Sequence, residues 1–136
     1  MRFLLDTNVW IKILKGRDLL LIDRFTQTGF SELAVCSIVR AELMHGAEKY
    51  SNVSRRRMEV INLLAEVTSF SFDDSCADVY GSLRQSLESR ACIIGPYDLQ
   101  IAAIALVHDL TVVTGNVNEF KRVHGLRVED WSLPVA

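Results

Sequence analysis

Proline is nearly absent from this chain, with only Pro96 and Pro134 in 136 residues. No Pro/Gly/Ser-rich stretch marks a linker, and neither an internal repeat nor a low-complexity tract is visible. One compact domain over residues 1–136 is therefore expected, long enough to bury about 68–70% of its unfolded surface without a staple. Cysteine is scarce too: Cys36, Cys76 and Cys92 are odd in number and widely spaced. They form neither a CxxC pair nor a Cys/His spacing suited to zinc, so buried, reduced thiols in a reducing compartment are expected. No apolar run reaches the roughly 18 residues of a membrane span. Asp6 and Asn8 also interrupt the N-terminal apolar run too early for a secretory signal. The expectation is a cytoplasmic protein with no membrane contact. An excess of positive charge is missing as well. Fifteen Lys and Arg stand against seventeen Asp and Glu, a formal net charge of −2. A protein that holds nucleic acid by bulk charge is basic. Any such contact here needs a local basic patch or bound cations.

What the chain does contain is alternation. Short apolar runs at Arg2–Leu5, Leu33–Cys36, Val67–Phe72, Thr111–Val113 and Leu126–Val128 read as strands. Helical patterns separate them: Leu19–Thr28, Ile38–Lys49, Arg55–Leu64, Asp74–Ser89 and Tyr97–His108. Alternating strands and helices predict an α/β fold with a mostly parallel sheet. Phe3-Leu4-Leu5 and Val112-Val113 lack polar interruption, as expected of strands covered on both faces.

Ligands of open α/β sheets bind beyond the carboxyl ends of the strands. Asp6 directly follows the first strand and so belongs to that rim. Glu42 lies in the second turn of the helix that Ser37 is expected to cap, on one face with Ile38, Ala41 and His45. An exposed, solvated Glu is the plainer reading of that position. Asp98 falls in the first turn of a helix opened by Gly95-Pro96, where any carboxylate meets free N–H groups. Yet it also heads the stripe Ile101, Ala102, Ala105, predicted to be buried. Thr114 ends a strand, and Asn116 with Glu119 fits a capping pattern as well as a set of oxygen ligands. Each acid alone has a structural explanation. Together, Asp6, Glu42, Asp98 and Asn116/Glu119 follow four different strands or open the next helix. Converging carboxylates repel one another, so the arrangement implies a cation. Hard divalent ions such as Mg²⁺ take oxygen ligands and can activate water at a phosphodiester.

These residues in this order resemble a PIN domain, and specifically the VapC-type toxins of toxin–antitoxin pairs. LLDTNVWI, RAELMHGAEK, IGPYDLQIAAIA and VVTGNVNEF carry the likeness, collinear over essentially the whole chain. The resemblance implies a three-layer α/β/α sandwich with a mostly parallel sheet of four to five strands. It implies a metal-dependent endoribonuclease that cuts tRNA or rRNA and inhibits translation. Asp6, Glu42 and Asp98 would hold Mg²⁺, with Mn²⁺ an alternative, and Thr7, Asn8 and Thr114 would support them. Asn116 stands where many relatives have a fourth acid, and Glu119 is the nearest carboxylate. Which of the two takes that place, and whether one or two metals bind, stays open. A VapB-type antitoxin and a toxin homodimer are the implied partners, in a hetero-oligomer.

Lys12, Lys15 and Arg17 are the candidate phosphate contacts, while Arg55-Arg56-Arg57 reads first as a solvated face of a helix with Met58, Ile61 and Leu64/Ala65 inward. Trp10, Ile11, Leu14, Leu43 and Met44 could line a groove for an antitoxin helix, although core packing suits most of them. His45, His108 and His124 lack ligand spacing and are assigned structural roles. Trp131 should be packed, with a loose terminus after it. Two rivals remain. An Asp6-nucleophile phosphatase would want a second acid where Asn8 stands. A non-catalytic interaction domain could keep the acids for antitoxin arginines or hydrogen bonds.

Overall fold

The computed structural model describes residues 2–134. Val135 and Ala136, the last residues of the expected loose terminus, lie outside that range. Within it, five strands form one all-parallel sheet in the order β3-β2-β1-β4-β5. The strands are β1 Phe3–Leu5, β2 Leu33–Cys36, β3 Thr68–Phe70, β4 Thr111–Val113 and β5 Val128–Glu129. The three inner strands are buried at every position, as their uninterrupted apolar sequences require, whereas β3 and β5 at the edges are partly exposed. The helices are α1 Thr7–Lys15, α2 Leu19–Thr28, α3 Ser37–Ala47, α4 Val53–Leu64, α5 Asp74–Ser89, α6 Pro96–Val107 and α7 Val117–Phe120. They cover both faces, giving the expected α/β/α sandwich. No helix among the described residues is long and apolar enough to cross a membrane.

Topology fixes the interesting place. From β1 the chain moves to β2 on one side, then to β3, and later returns to β4 on the other side. The central strand is therefore flanked by connections that run in opposite directions. That is the switch point where an α/β sheet opens a crevice at its carboxyl edge. Register β1–β4 is Leu5 opposite Val113, so Asp6 and Thr114 leave the sheet side by side.

Local chemistry explains most of the elements. Helix α1 starts at Asp6, whose carboxylate accepts from the Thr7 N–H, and stops at Gly16 in the left-handed region, φ 67°. Helix α6 begins with Pro96 at its first turn, where a missing N–H costs nothing. Its Ile101, Ala102, Ala103, Ile104 and Ala105 are fully buried, so the apolar surface wraps almost the whole helix rather than one stripe. Small alanines let α6 lie close against the sheet.

Four expectations need correction. Ser37 is the first residue of α3 rather than its cap; its hydroxyl instead accepts from the Phe72 N–H at 3.2 Å, tying α3 to the end of β3. The inward face of α4 is Val60 and Leu64; Met58 is 53% and Ile61 38% exposed. Arg56 is the most covered of the three arginines and sits over the Tyr50 ring at 4.4 Å. Trp10 lines no groove: it is fully buried, and its indole N–H donates to the Leu5 carbonyl at 3.1 Å. A tryptophan just after a strand tip meets both the core and a carbonyl freed at the sheet edge, and that decides its place. Leu43 is buried as well, whereas Ile11 and Leu14 border a small surface cavity with Tyr50 and Arg56.

Cys36 and Cys76 are buried free thiols, and Cys92 is half-buried. His108 stacks on Phe70 with centroids 4.1 Å apart, a structural role as anticipated. Trp131 packs edge-on against Phe3 at 5.1 Å and donates to Glu129, which also pairs with Arg24 at 2.9 Å. Trp10→Ala should destabilise the fold by about 3–5 kcal/mol, because it deletes a full indole and orphans the Leu5 carbonyl. Urea denaturation reads this directly; a loss below about 1 kcal/mol would contradict the packing described.

Candidate active site

A cavity of about 610 Å³ opens at the carboxyl edge of the sheet, lined by Asp6, Thr7, Asn8, Lys12, Lys15, Glu42, Asp98, Gly115, Asn116 and Ser132 among others. Asp6, Glu42, Asp98 and Asn116 thus come to one place from four separate segments. Glu119 and Arg17 do not line it. A more apolar cavity of about 210 Å³ between α5 and the start of α6 contains Glu88 as its only carboxylate and lacks this convergence.

Asp6 is 8% exposed, unusual for a carboxylate. Oδ1 accepts from the Thr7 N–H at 2.7 Å and Oδ2 from the Thr114 hydroxyl at 2.9 Å. Burial raises its pKa above the usual 3.8, while these two hydrogen bonds pull it back. The capping reading is correct as far as it goes, because the same carboxylate that caps α1 also faces the crevice.

Thr114 passes the order on. Its Oγ1 accepts from the Asn116 N–H at 2.9 Å, which fixes the turn after β4. The Asn116 side chain does not cap α7. Its Nδ2 donates to Asp98 Oδ2 and to Glu119 Oε2, both at 3.0 Å. Sequence pattern alone could not separate those two uses of an asparagine three residues before a glutamate.

Asp98 is the most perturbed of the rim acids. Desolvation first, then the charge of Asp6 and a direct hydrogen bond with the Glu119 carboxyl and its charge, push its pKa up to about 7; the Asn116 amide lowers it. Glu42 is half-buried and shifted upward by burial and by Asp6, with the Thr7 hydroxyl easing its ionisation. That hydroxyl lies near Glu42 without closing a hydrogen bond, and Thr7 Oγ1 is a buried polar atom with no partner. The carboxylates reach further: burial, with Asp6 and Glu42 adding to it, pushes the Cys36 thiol up to about 11 and keeps it inert.

Of the candidate phosphate contacts, Lys12 and Lys15 border the cavity. Lys12 donates to Ser132 Oγ at 3.3 Å, and Ser132 donates to Asp18 at 2.7 Å. The C-terminal tail therefore orients a lysine at the site. No local motif in the sequence announces this contact, which joins residues 120 apart.

The donor set suits a hard cation: carboxylate oxygens, with no imidazole or thiolate on the cavity wall. Among the described residues, no group of three or more His, Cys, Asp or Glu side chains is arranged to hold a metal ion, so Asp6, Glu42 and Asp98 border one cavity without forming a ready set of three ligands.

A PIN domain family model matches residues 3–126. The chain is 34% identical over 131 residues to Ribonuclease VapC2 of Haemophilus influenzae, covering 96% of this chain and 98% of that one. It is 35% identical to the tRNA(fMet)-specific endonuclease VapC of Shigella flexneri, covering 97% and 99%. Among solved structures, DNA bound VapBC from Salmonella typhimurium superimposes with a TM-score of 0.88 at 34% identity, covering 96% and 98%.

The raised pKa of Asp98 gives a signed pH dependence in metal-free protein. The folded state holds that proton more tightly than the unfolded chain, so the contribution of Asp98 to stability is fully present below about pH 4 and is lost as pH rises through about 7. After discounting for solvent screening, the loss is on the order of 1 kcal/mol. Thermal melts in EDTA should show it, and Asp98→Asn should flatten the slope. An Asp98→Asn variant with an unchanged pH slope would contradict the assignment.

Proposed function

The chain belongs to the PIN domain family, in its VapC-type branch, and from that premise we propose that it is a divalent-metal-dependent endoribonuclease toxin. The observation that carries the reading is one cavity bordered by Asp6, Glu42 and Asp98 from three separate elements. Asp6, Asp98 and Glu42 would hold Mg²⁺ or Mn²⁺. When bound, such a cation lowers the pKa of water and neutralises charge on the phosphate and leaving oxygen.

The chain's own residues do the rest. Thr7 and Thr114 hold Asp6 in one orientation through its two oxygens. Glu42, raised above the ordinary carboxylate range, is suited to accept a proton from the attacking water. Water adds to phosphorus as its proton passes to Glu42, the P–O bond to the departing ribose oxygen breaks, that oxygen takes a proton from solvent, and Glu42 returns its proton to solvent. The Thr7 hydroxyl, buried beside Glu42, favours the ionised form of that carboxylate. Lys12 and Lys15 supply positive charge for the RNA backbone on a protein that is net acidic. The RNA substrate is tRNA or rRNA, the compartment is the cytoplasm, and the consequence is inhibited translation. A VapB-type antitoxin would restrain the enzyme, with a toxin homodimer inside the hetero-oligomer. Ile11 and Leu14, beside Tyr50, offer apolar surface to an antitoxin helix.

Purified, antitoxin-free protein should cut a tRNA and rRNA mixture into discrete fragments with Mg²⁺ and fail in EDTA. Asp98→Asn should lower the rate by 10²-fold or more, since the charge goes and the shape stays. Cleavage untouched by either change would refute the assignment and favour the interaction-domain alternative. Lys15→Ala should weaken binding to all RNA sequences alike and reduce the salt slope by about 1, measurable by fluorescence anisotropy at several salt concentrations.

A further inference from the structure

A lysine that serves an RNA phosphate must not already be neutralised by a nearer anion. Lys12 borders the cavity from α1, and the carboxylate of Asp18, the N-cap of α2, stands within its reach. The two do not close a hydrogen bond, since Lys12 Nζ lies 3.9 Å from Asp18 Oδ2. The Ser132 hydroxyl links them instead, 3.3 Å from Nζ and 2.7 Å from Oδ2. The partners fix the direction of each bond. An ammonium only donates and a carboxylate only accepts, so the hydroxyl accepts from Lys12 and gives its single hydrogen to Asp18. One ammonium hydrogen is used, and two remain to meet a phosphate.

Asp18 is a real rival for that ammonium. The Ser132 hydrogen bond above all, then the Leu21 N–H and the Lys12 charge, hold its carboxyl below the usual 3.8 against a small burial effect. It is therefore ionised at neutral pH. The hydroxyl that occupies it is itself well placed. Trp131 is buried edge-on against Phe3, and the Arg24 guanidinium sits 5.1 Å over its ring. The Ser132 N–H donates to Asp130 Oδ1 at 2.9 Å. A packed tryptophan and a tight turn after β5 thus deliver one hydroxyl to α1 from the other end of the chain.

We infer that Ser132 is a positioning residue for RNA binding: its hydroxyl satisfies Asp18, stops the Lys12 ammonium from closing on that carboxylate, and keeps the ammonium at the cavity. Without the hydroxyl, Lys12 and Asp18 form a direct ion pair, and an RNA phosphate has to compete with it. The C-terminal tail then sets substrate affinity without touching the rim acids.

This inference rests on the RNA-binding part of the proposed function, and binding rather than cleavage tests it. The probe is fluorescein-labelled bulk tRNA, followed by anisotropy at several salt concentrations with Mg²⁺, in an Asp98→Asn parent that spares the RNA. Lys12→Ala should raise Kd about 3- to 10-fold and reduce the salt slope by about 1. Ser132→Ala, which removes one oxygen from a half-buried residue, should shift both in the same direction. Ser132→Thr, which keeps the hydroxyl, should bind as the parent does. Adding Asp18→Asn to Ser132→Ala should restore affinity, because the rival charge is gone while asparagine still caps α2. That recovery should vanish in the Lys12→Ala background, where a general loss of negative charge would still act. Parent affinity in Lys12→Ala or in Ser132→Ala would overturn the inference, as would a Ser132→Ala loss that persists undiminished without Lys12. A folded parent that binds no tRNA even at low salt would overturn the RNA reading itself, and the inference with it.

Discussion

A carboxylate buried at the tip of the central strand is the constraint on which the rest of the site depends. Asp6 would be costly there without partners, because desolvation disfavours its charged form. Two donors offset that cost, one from the first turn of α1 and one from the hydroxyl at the end of β4. Both exist only because β1 and β4 are neighbours in register and the chain turns straight into a helix after Leu5. The Asp6 N–H also bonds to the Val113 carbonyl at 2.9 Å, so backbone and side chain of one residue are tied to the same strand end. Moving either strand by a residue would break the two bonds that join Asp6 to the end of β4. The all-parallel topology and the local capping chemistry thus converge on one side chain.

From this anchor the order spreads in two directions. Toward α7, Thr114 and Asn116 relay it to Asp98 and Glu119. Toward α3, the field of Asp6 reaches Glu42 and even the Cys36 thiol. The charge of Asp6 adds to burial in raising the pKa values of Glu42 and Asp98, an unfavourable arrangement that a divalent ion would relieve. Net charge over the whole molecule is a poor guide to such a protein. On the proposed reading a cation would let the acidic cluster meet RNA, with Lys12 and Lys15 at the cavity as the basic groups beside it.

Much of this was legible in the sequence. Unbroken apolar runs such as Phe3-Leu4-Leu5 and Val112-Val113 mark buried parallel strands, Asp6 stands just past a strand, Asp98 in the first turn of a helix and Glu42 in the second turn of another. Strand and helix ends shift by a residue or two, as at β3 and β5, where short edge strands leave little pattern. What the sequence hid was which hydrogen bond a versatile side chain chooses. Ser37 could cap α3 but bonds to Phe72 instead; Asn116 could cap α7 but bridges two acids. Apolar spacing also misled at Met58 and Ile61, because the core reached α4 on the Val60 side. The Lys12–Ser132–Asp18 contacts were invisible for another reason. They link the two ends of the chain, and no periodicity encodes that.

The central claim is that the crevice at the β1–β4 switch point holds a divalent cation between Asp6 and Asp98. Crystals of the antitoxin-free protein soaked in Mn²⁺, measured at the manganese absorption edge, test it most directly. The account predicts one anomalous peak within ligand distance of carboxylate oxygens of both residues. A peak elsewhere, or none in the crevice of a well-ordered crystal, would contradict it.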